Sequence, residues 1–373
     1  MKRHYFLGTA AGFSKKERIR MRKEHGGDKD LANLATYLCD EYGGKQAIVT
    51  INGRSAIAAG LNYYLRDYLG KQSGEVIING FTCYAVVQGV KAAGFSPIYA
   101  DIDKKTLNFT TETLAKVVTR NTRAIIVQNT LGNMVDMKSI ERFCREHNLL
   151  LIEDLAHCTG RVYPDGREAG KVGKIVVFSF GKEKSIDVIN GGAVVFRDQN
   201  FRPVSEPKNQ NVGREEFRAR IYPTIGAIYR ALSYVGLSSV FMRLMLKLKW
   251  VVKAADAEVD YTNKTIGNFQ AKLALSQLKN RQKLGMKPIR EFYLVNNRSE
   301  VMQKLRRAGY YFGGFWYERP VSPERYYKKV RFPEKTCPVA VEVSQKIINF
   351  PTYYSEKILE PARKIIKEYL EEA

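Results

Sequence analysis

RAIIVQNTLGNMVDMKSIERFCREHNLLLIE, residues Arg123–Glu153, holds the pattern that decides the fold. Its two ends, RAIIVQ (Arg123–Gln128) and LLLIE (Leu149–Glu153), are short and almost continuously apolar, as strands are when both faces of their sheet are covered. Between them, Met137–His147 places its apolar residues at helical spacing. Strand, helix and strand in this order form the crossover unit that joins two parallel strands.

The same alternation extends in both directions. Upstream, Glu75–Asn79 (EVIIN) and Pro97–Asp101 (PIYAD) read as strands flanking a helix from Cys83 to Ala93. Downstream, Lys174–Phe180 (KIVVFSF) and Gly192–Phe196 (GAVVF) complete a mostly parallel sheet. The fold class is α/β, a doubly wound sheet over residues 46 to 197. Beyond Phe196 the pattern changes. Arg197–Arg220 is polar, with Pro203 and Pro207, and reads as a loop; 224–252 is helical and apolar-basic; Ile266–Gln282 is a further helix. Residues 331–373 mix extended pieces with an amphipathic helix over Glu356–Leu370. The expected domains are a basic amino-terminal segment (1–30), a large α/β domain (31–260) and a smaller carboxy-terminal α+β domain (261–373).

The chain has 373 residues, with 61 Lys+Arg against 38 Asp+Glu for a formal charge of +23, which turns attention to phosphate-bearing partners. The five cysteines, Cys39, Cys83, Cys144, Cys158 and Cys337, are odd in number and contain no C-x-x-C, so neither a disulfide framework nor a thiolate metal site is expected. A reducing cytoplasm fits them. The amino terminus lacks the sustained apolar run of a secretory signal. The longest weakly charged stretch, Ile225–Met242 with Arg230, is too rich in Gly, Ser and Tyr for a spanning helix. No helix-turn-helix, zinc or RNA-binding motif accompanies the basic charge, so nucleic acid is not an expected partner.

Open parallel sheets bind ligands at the carboxyl ends of their strands. Asn129 follows RAIIVQ, Asp154 follows LLLIE, and Ser179 closes KIVVFS with Lys184 five residues on. Gly53-Arg54-Ser55-Ala56 sits where an apolar run turns into a helix, a place where free N–H groups hold phosphate. Each feature alone is common: Asp after a strand is usually a cap, and Ser179–Lys182 matches S-x-x-K without the companion motifs. An acid, a lysine and an anion cradle on one sheet edge meet the needs of a pyridoxal phosphate site.

The order and spacing of these elements resemble the DegT/DnrJ/StrS aminotransferases, the sugar-aminotransferase branch of the type I pyridoxal-phosphate fold. Asn52-Gly53-Arg54-Ser55-Ala56-Ile57 stands for the family's small-residue turn, and Gly80-Phe81-Thr82-Cys83-Tyr84 for its aromatic-threonine loop. Asp101-Ile102-Asp103 with Thr106-Leu107-Asn108, Ile152-Glu153-Asp154-Leu155-Ala156-His157, and Ser179-Phe180 through Lys184 to Gly191-Gly192 continue the series. Three positions depart from it. Cys83 stands where an aromatic ring usually stacks on the cofactor, leaving Tyr84 or Phe81; His157 replaces a Gln beside the cofactor's 3′-oxygen; Thr265 replaces an Arg between the matching Asn263 and Gln270.

The resemblance implies that Lys184 carries pyridoxal phosphate, with Asp154 against the pyridine nitrogen. It implies further cofactor contacts from Gly53, Arg54, Ser55, Cys83, Tyr84, Asn129, His157 and Ser179. Asn263 would reach a neighbouring subunit's cofactor, making a homodimer with shared sites. Only Lys184 satisfies the family's counts from Ser179-Phe180 and to Gly191; Lys182 is expected to face solvent. The activity implied is amino transfer, with glutamate as donor, to a nucleotide-linked keto-sugar for surface polysaccharide or glycan synthesis. The alternatives are a sugar dehydratase, in which His replaces the lysine, and a non-catalytic regulatory or nucleic-acid-binding relative. Thr224–Lys253 has two readings: helices packed on the dimer or the large domain, or an interfacial helix lying on the inner membrane surface.

Overall fold

The computed structural model describes residues 4–6, 19, 21–207, 213–253, 256–312 and 316–370. Its centre is a seven-stranded sheet formed by β1 (Gln46–Thr50), β2 (Glu75–Asn79), β3 (Ser96–Ala100), β4 (Thr122–Val127), β5 (Leu150–Asp154), β6 (Ile175–Ser179) and β7 (Gly192–Phe196). The spatial order is β1-β7-β6-β5-β4-β2-β3; only β7 runs antiparallel to its neighbours. The sheet is therefore mostly parallel, as the uninterrupted apolar runs imply.

Those runs arise because alternate residues of each strand enter two different cores. Ile125, Val127, Leu151, Val176, Phe178 and Val195 pack on one face. Ala124, Ile126, Leu150, Ile152, Val177 and Val194 pack on the other. Each buried Val, Leu, Ile or Phe side chain among them contributes about 1.5–3 kcal/mol. Helix α1 (Asp30–Tyr42) lies on the first face, and α2 (Gly53–Leu61) and α3 (Tyr84–Ala92) on the second. The crossover helix α4 (Met137–Glu146) joins β4 to β5.

Several boundaries differ from the sequence reading. The polar stretch after Phe196 is loop only in part, because α5 starts at Gly213 and runs to Ser233; α6 (Ser238–Lys247) folds back on it. The helix expected over Ile266–Gln282 is α7 (Asn268–Leu278) followed by a separate turn over Arg281–Leu284. α7 packs on α1, and Ile266, Phe269 and Ala271 join the large core, so no break in packing falls at residue 260. Asp101 leaves the strand because its carboxylate accepts the Val339 and Ala340 N–H groups at 3.0 and 2.9 Å, capping the helix Pro338–Lys346.

The smaller unit is built on β8 (Arg290–Leu294) paired antiparallel with β9 (Ile347–Pro351). Val295, Leu305, Ile348, Phe350, Leu359 and Ile366 form its core, with α8 (Glu356–Lys367) as a cover. α8 ends three residues before the expected Leu370, which instead bridges Val295. His4–Phe6 pairs with Tyr310–Phe312 beside this unit; most of the basic segment 1–30 before Met21 lies outside the described residues.

Candidate active site

β4, β5 and β6 deliver Asn129, Asp154 and Ser179 to the carboxyl ends of the parallel strands, where the connections leaving the neighbours β2 and β4 lead toward opposite ends of the strand order. Lys184 reaches this edge from the turn after β6. Its Nζ stands 2.9 Å from His157 Nε2 and 4.6 Å from the centre of the Trp316 ring. His157 Nδ1 accepts the Leu131 N–H at 3.2 Å, which assigns the ring proton to Nε2. Burial holds the imidazole well below its ordinary pKa, so it stays neutral. Nε2 and the Lys184 Nζ are thereby held within hydrogen-bond distance of each other, which fixes the position of the amine at this edge.

Asp154 ends β5 with its carboxylate buried, and Oδ1 accepts the Ala156 N–H at 3.0 Å. Burial pushes this carboxyl up to about 6, against the pull of that hydrogen bond. Glu153, one residue earlier, is the opposite case. Its carboxylate is fully buried but accepts from Tyr163 Oη and the N–H groups of Gly170, Val172 and Gly173, at 2.5 to 2.8 Å. One acid of the pair is satisfied by the fold, and the other retains Oδ2 for a further donor.

The turn before α2 faces Ser179. Asn52 Oδ1 accepts the Ser55 N–H and hydroxyl at 3.0 Å each, fixing the first turn of the helix. A Cβ on Gly53 would lie 2.8 Å from Ser179 Cβ and 2.9 Å from Ser179 Oγ. On Gly192 it would meet the Asn52 backbone at 2.7 Å, so both glycines are required for this close approach. The Gly53 and Arg54 backbone in the first turn of α2 and the Ser179 hydroxyl thus lie together at this edge.

The other expected site residues occupy different positions. The Arg54 guanidinium donates to Gln88 and, at 2.9 Å, to the Ala257 carbonyl, so only its backbone faces the turn. The Ser55 hydroxyl also accepts from Asp260 N–H at 3.0 Å and is fully engaged. Asn129 is buried in a left-handed conformation; Oδ1 accepts from Val135 N–H, and Nδ2 donates to Tyr163 and Cys158. These contacts give Asn129 the floor of the site, not a face toward Lys184. Cys83 caps α3 through Sγ, and Tyr84 stacks on Tyr326 at 4.2 Å. Phe81 is buried against Tyr317 at 4.9 Å. Asn263 is exposed on this chain and donates to Thr262. Thr265, in place of the expected Arg, is buried with its hydroxyl unpartnered.

Lys182 does not face solvent as expected. Its Nζ lies 3.9 Å from the centre of the Tyr222 ring on α5 and donates to the Val252 carbonyl at 3.3 Å; burial lowers its pKa to about 8. Sequence reasoning also missed Trp316, Tyr317 and Arg290, which close the site from the smaller unit. Arg290 is buried, stacks over Trp316 at 4.8 Å, and donates to Asn349 at 2.7 Å and Glu183 at 3.1 Å. Burial raises Glu183 to about 7. All five cysteines are free, and no cluster of three or more metal-ligating side chains occurs among the described residues.

Residues 24–368 match the model of the DegT/DnrJ/EryC1/StrS aminotransferase family, and the chain belongs to that family. A GDP-perosamine synthase from Caulobacter vibrioides is 31% identical over 192 residues, which are 51% of this chain and 50% of that protein. A pleiotropic regulatory protein from Geobacillus stearothermophilus is 34% identical over 128 residues, 34% of each chain. The match thus spans between a third and a half of the length of these relatives. The structure of the putative sugar aminotransferase Spr1654 from Streptococcus pneumoniae, in its PMP form, superposes with a TM-score of 0.67 at 16% identity. It covers 95% of this chain and 98% of that one, and establishes the shared type I fold.

Proposed function

We propose that the protein transfers an amino group from glutamate to a nucleotide-linked keto-sugar, using pyridoxal phosphate held on Lys184. The observation that carries this reading is the juxtaposition of Lys184 Nζ with a neutral His157, beside a buried and under-satisfied Asp154. The residues fit the cofactor on physical grounds. Gly53 and Ser179 leave a cradle that any larger residue at 53 would fill, and its donors suit a phosphate. The Asp154 carboxylate pays for its burial unless a cationic N–H lies against it, and a pyridinium is such a group.

When bound, pyridoxal phosphate supplies the electron sink for the charge left on a substrate Cα. The side chains do the rest. Asp154 holds the proton on the ring nitrogen. Ser179 Oγ and the N–H groups of Gly53 and Arg54 anchor the phosphate. His157 Nε2, beside Lys184 Nζ, would offer its N–H to an oxygen of the bound cofactor. Lys184 Nζ would hold the cofactor and, as a free amine, would move the proton at the substrate Cα as general base and general acid. Trp316 and Arg290 limit water and present a cationic, aromatic wall to an anionic substrate.

The charge of +23 suits a substrate carrying a diphosphate, and surface polysaccharide synthesis is the expected destination of its product. In this reading Asn263, exposed on its own chain, serves the phosphate in a second subunit. Mixing Lys184→Ala with Asn263→Ala subunits then regains activity that neither homodimer has; a fully active monomer contradicts it. The substrate is tested by offering glutamate with a panel of nucleotide-linked keto-sugars and weighing the products. An amino-sugar with stoichiometric 2-oxoglutarate is expected. Loss of a sugar hydroxyl without amination would support the dehydratase reading instead.

A further inference from the structure

Nine of the fifteen large apolar side chains that are exposed among the described residues fall between Phe217 and Trp250, on the α5–α6 hairpin. The hairpin's inner side is already used: Ala219, Tyr222, Ile225 and Met245 belong to the large core. Its tip and outer side are a separate surface. Tyr234, Val235 and Leu237 form the tip, at 49, 67 and 54% exposure. Val240, Leu244 and Leu248 continue from it at i, i+4 and i+8, an apolar row about 12 Å long. Arg243 and Lys247 lie at the intervening turns of the same exposed face.

The charge on this segment has one sign. From Phe217 to Ala255 the sequence has seven basic residues, Arg218, Arg220, Arg230, Arg243, Lys247, Lys249 and Lys253, and no Asp or Glu. The only carboxylates on the two helices, Glu215 and Glu216, face Arg218 and Arg220 at 3.7 and 2.6 Å. The basic residues of the outer side are therefore set around an apolar row with no acidic counterpart on the hairpin. A second copy is a poor occupant for such a surface. A two-fold interface would bring this face, basic at Arg243, Lys247 and Lys249, against a copy of the same basic face. Among the described residues no helix is long and apolar enough to cross a membrane.

We propose that the hairpin docks the protein on an anionic lipid bilayer, with its tip and the Val240–Leu244–Leu248 row in the headgroup–acyl boundary. Long basic side chains lie along apolar surface with their charges at headgroup level, which is the disposition of Arg243 and Lys247 beside that row. Trp250, 43% exposed, closes the row with an aromatic ring of the kind that favours the interface. The active site lies on a different element set, so this docking stands independently of the amino-transfer reading.

The test floats full-length protein with phosphatidylcholine vesicles, with and without phosphatidylglycerol, at low and high salt. Two variants accompany it: Arg243→Gln/Lys247→Gln, and Val240→Ser/Leu244→Ser/Leu248→Ser, each checked for an unchanged melting temperature. The wild type is expected to float only with the anionic vesicles and to be released by salt. The charge variant is expected to bind roughly thirtyfold more weakly, about fivefold for each basic residue removed. The apolar variant is expected to lose flotation. Wild-type protein that stays soluble with anionic vesicles at low salt overturns the proposal. So does an apolar variant that floats normally, or one whose only change is in sedimentation, which makes the face a contact between copies.

Discussion

Asp154→Asn in protein stripped of cofactor offers a test of whether this carboxylate is kept at the expense of stability. Burial raises the folded-state value from 3.8 to about 6, while the unfolded chain titrates near the ordinary value. The sign follows from which state holds the proton. Between those limits the folded protein keeps its proton and the unfolded chain loses it, so stability falls as pH rises through the window and stays low above it. A separation of about two pH units corresponds to about 3 kcal/mol. Asn has the same shape, still accepts the Ala156 N–H, and carries no charge to desolvate. The stripped variant should therefore be more stable than the stripped wild type by about 3 kcal/mol at about pH 8, with little difference near pH 4. For a chain of 373 residues that is about 4 °C in melting temperature. Paired thermal melts across pH measure it, and repetition with pyridoxal phosphate should show the variant gaining less from the cofactor. A variant no more stable at high pH, or equally stabilised at both pH values, would refute the reasoning.

Two further outcomes follow from side-chain packing. Gly53→Ala puts a methyl 2.8 Å from Ser179 Cβ, so pyridoxal phosphate affinity should fall at least about tenfold with little loss of secondary structure; an unchanged binding titration removes the cradle from the account. Arg290→Met leaves Glu183 buried without its cation and should cost about 3–5 kcal/mol in urea unfolding, most of it recovered in Arg290→Met/Glu183→Gln. Failure of the second substitution to restore stability would mean that Arg290 acts chiefly through Asn349 and Trp316.

The sheet was legible because its strands are covered on both faces, and that condition writes itself as unbroken apolar runs. The common position of Asp154, Ser179 and Lys184 was legible for a related reason: the ends of parallel strands lie at one edge of the sheet, and those ends can be counted. The start of α5 was hidden because Glu215, Glu216, Arg218 and Arg220 pair along the helix and give it a polar first turn after two prolines. The burial of Lys182 depends on Tyr222, forty residues later, and the walls formed by Arg290 and Trp316 come from more than a hundred residues beyond Lys184. No local pattern announces contacts of that range. Asn129 shows the converse, a strand-end residue at the right place whose amide is consumed by Val135, Tyr163 and Cys158.

The central claim is that Lys184, and not its neighbour two residues earlier, carries the cofactor. Lys182 is half-buried over Tyr222 with its pKa lowered to about 8, so it is a chemically credible rival and the comparison is a fair one. Borohydride reduction of the pyridoxal-phosphate-loaded protein, followed by peptide mapping, separates the two. The account predicts a single stable adduct on Lys184 and loss of the visible absorbance in Lys184→Ala. An adduct on Lys182, or a loaded protein that reduction leaves unlabelled, would contradict it.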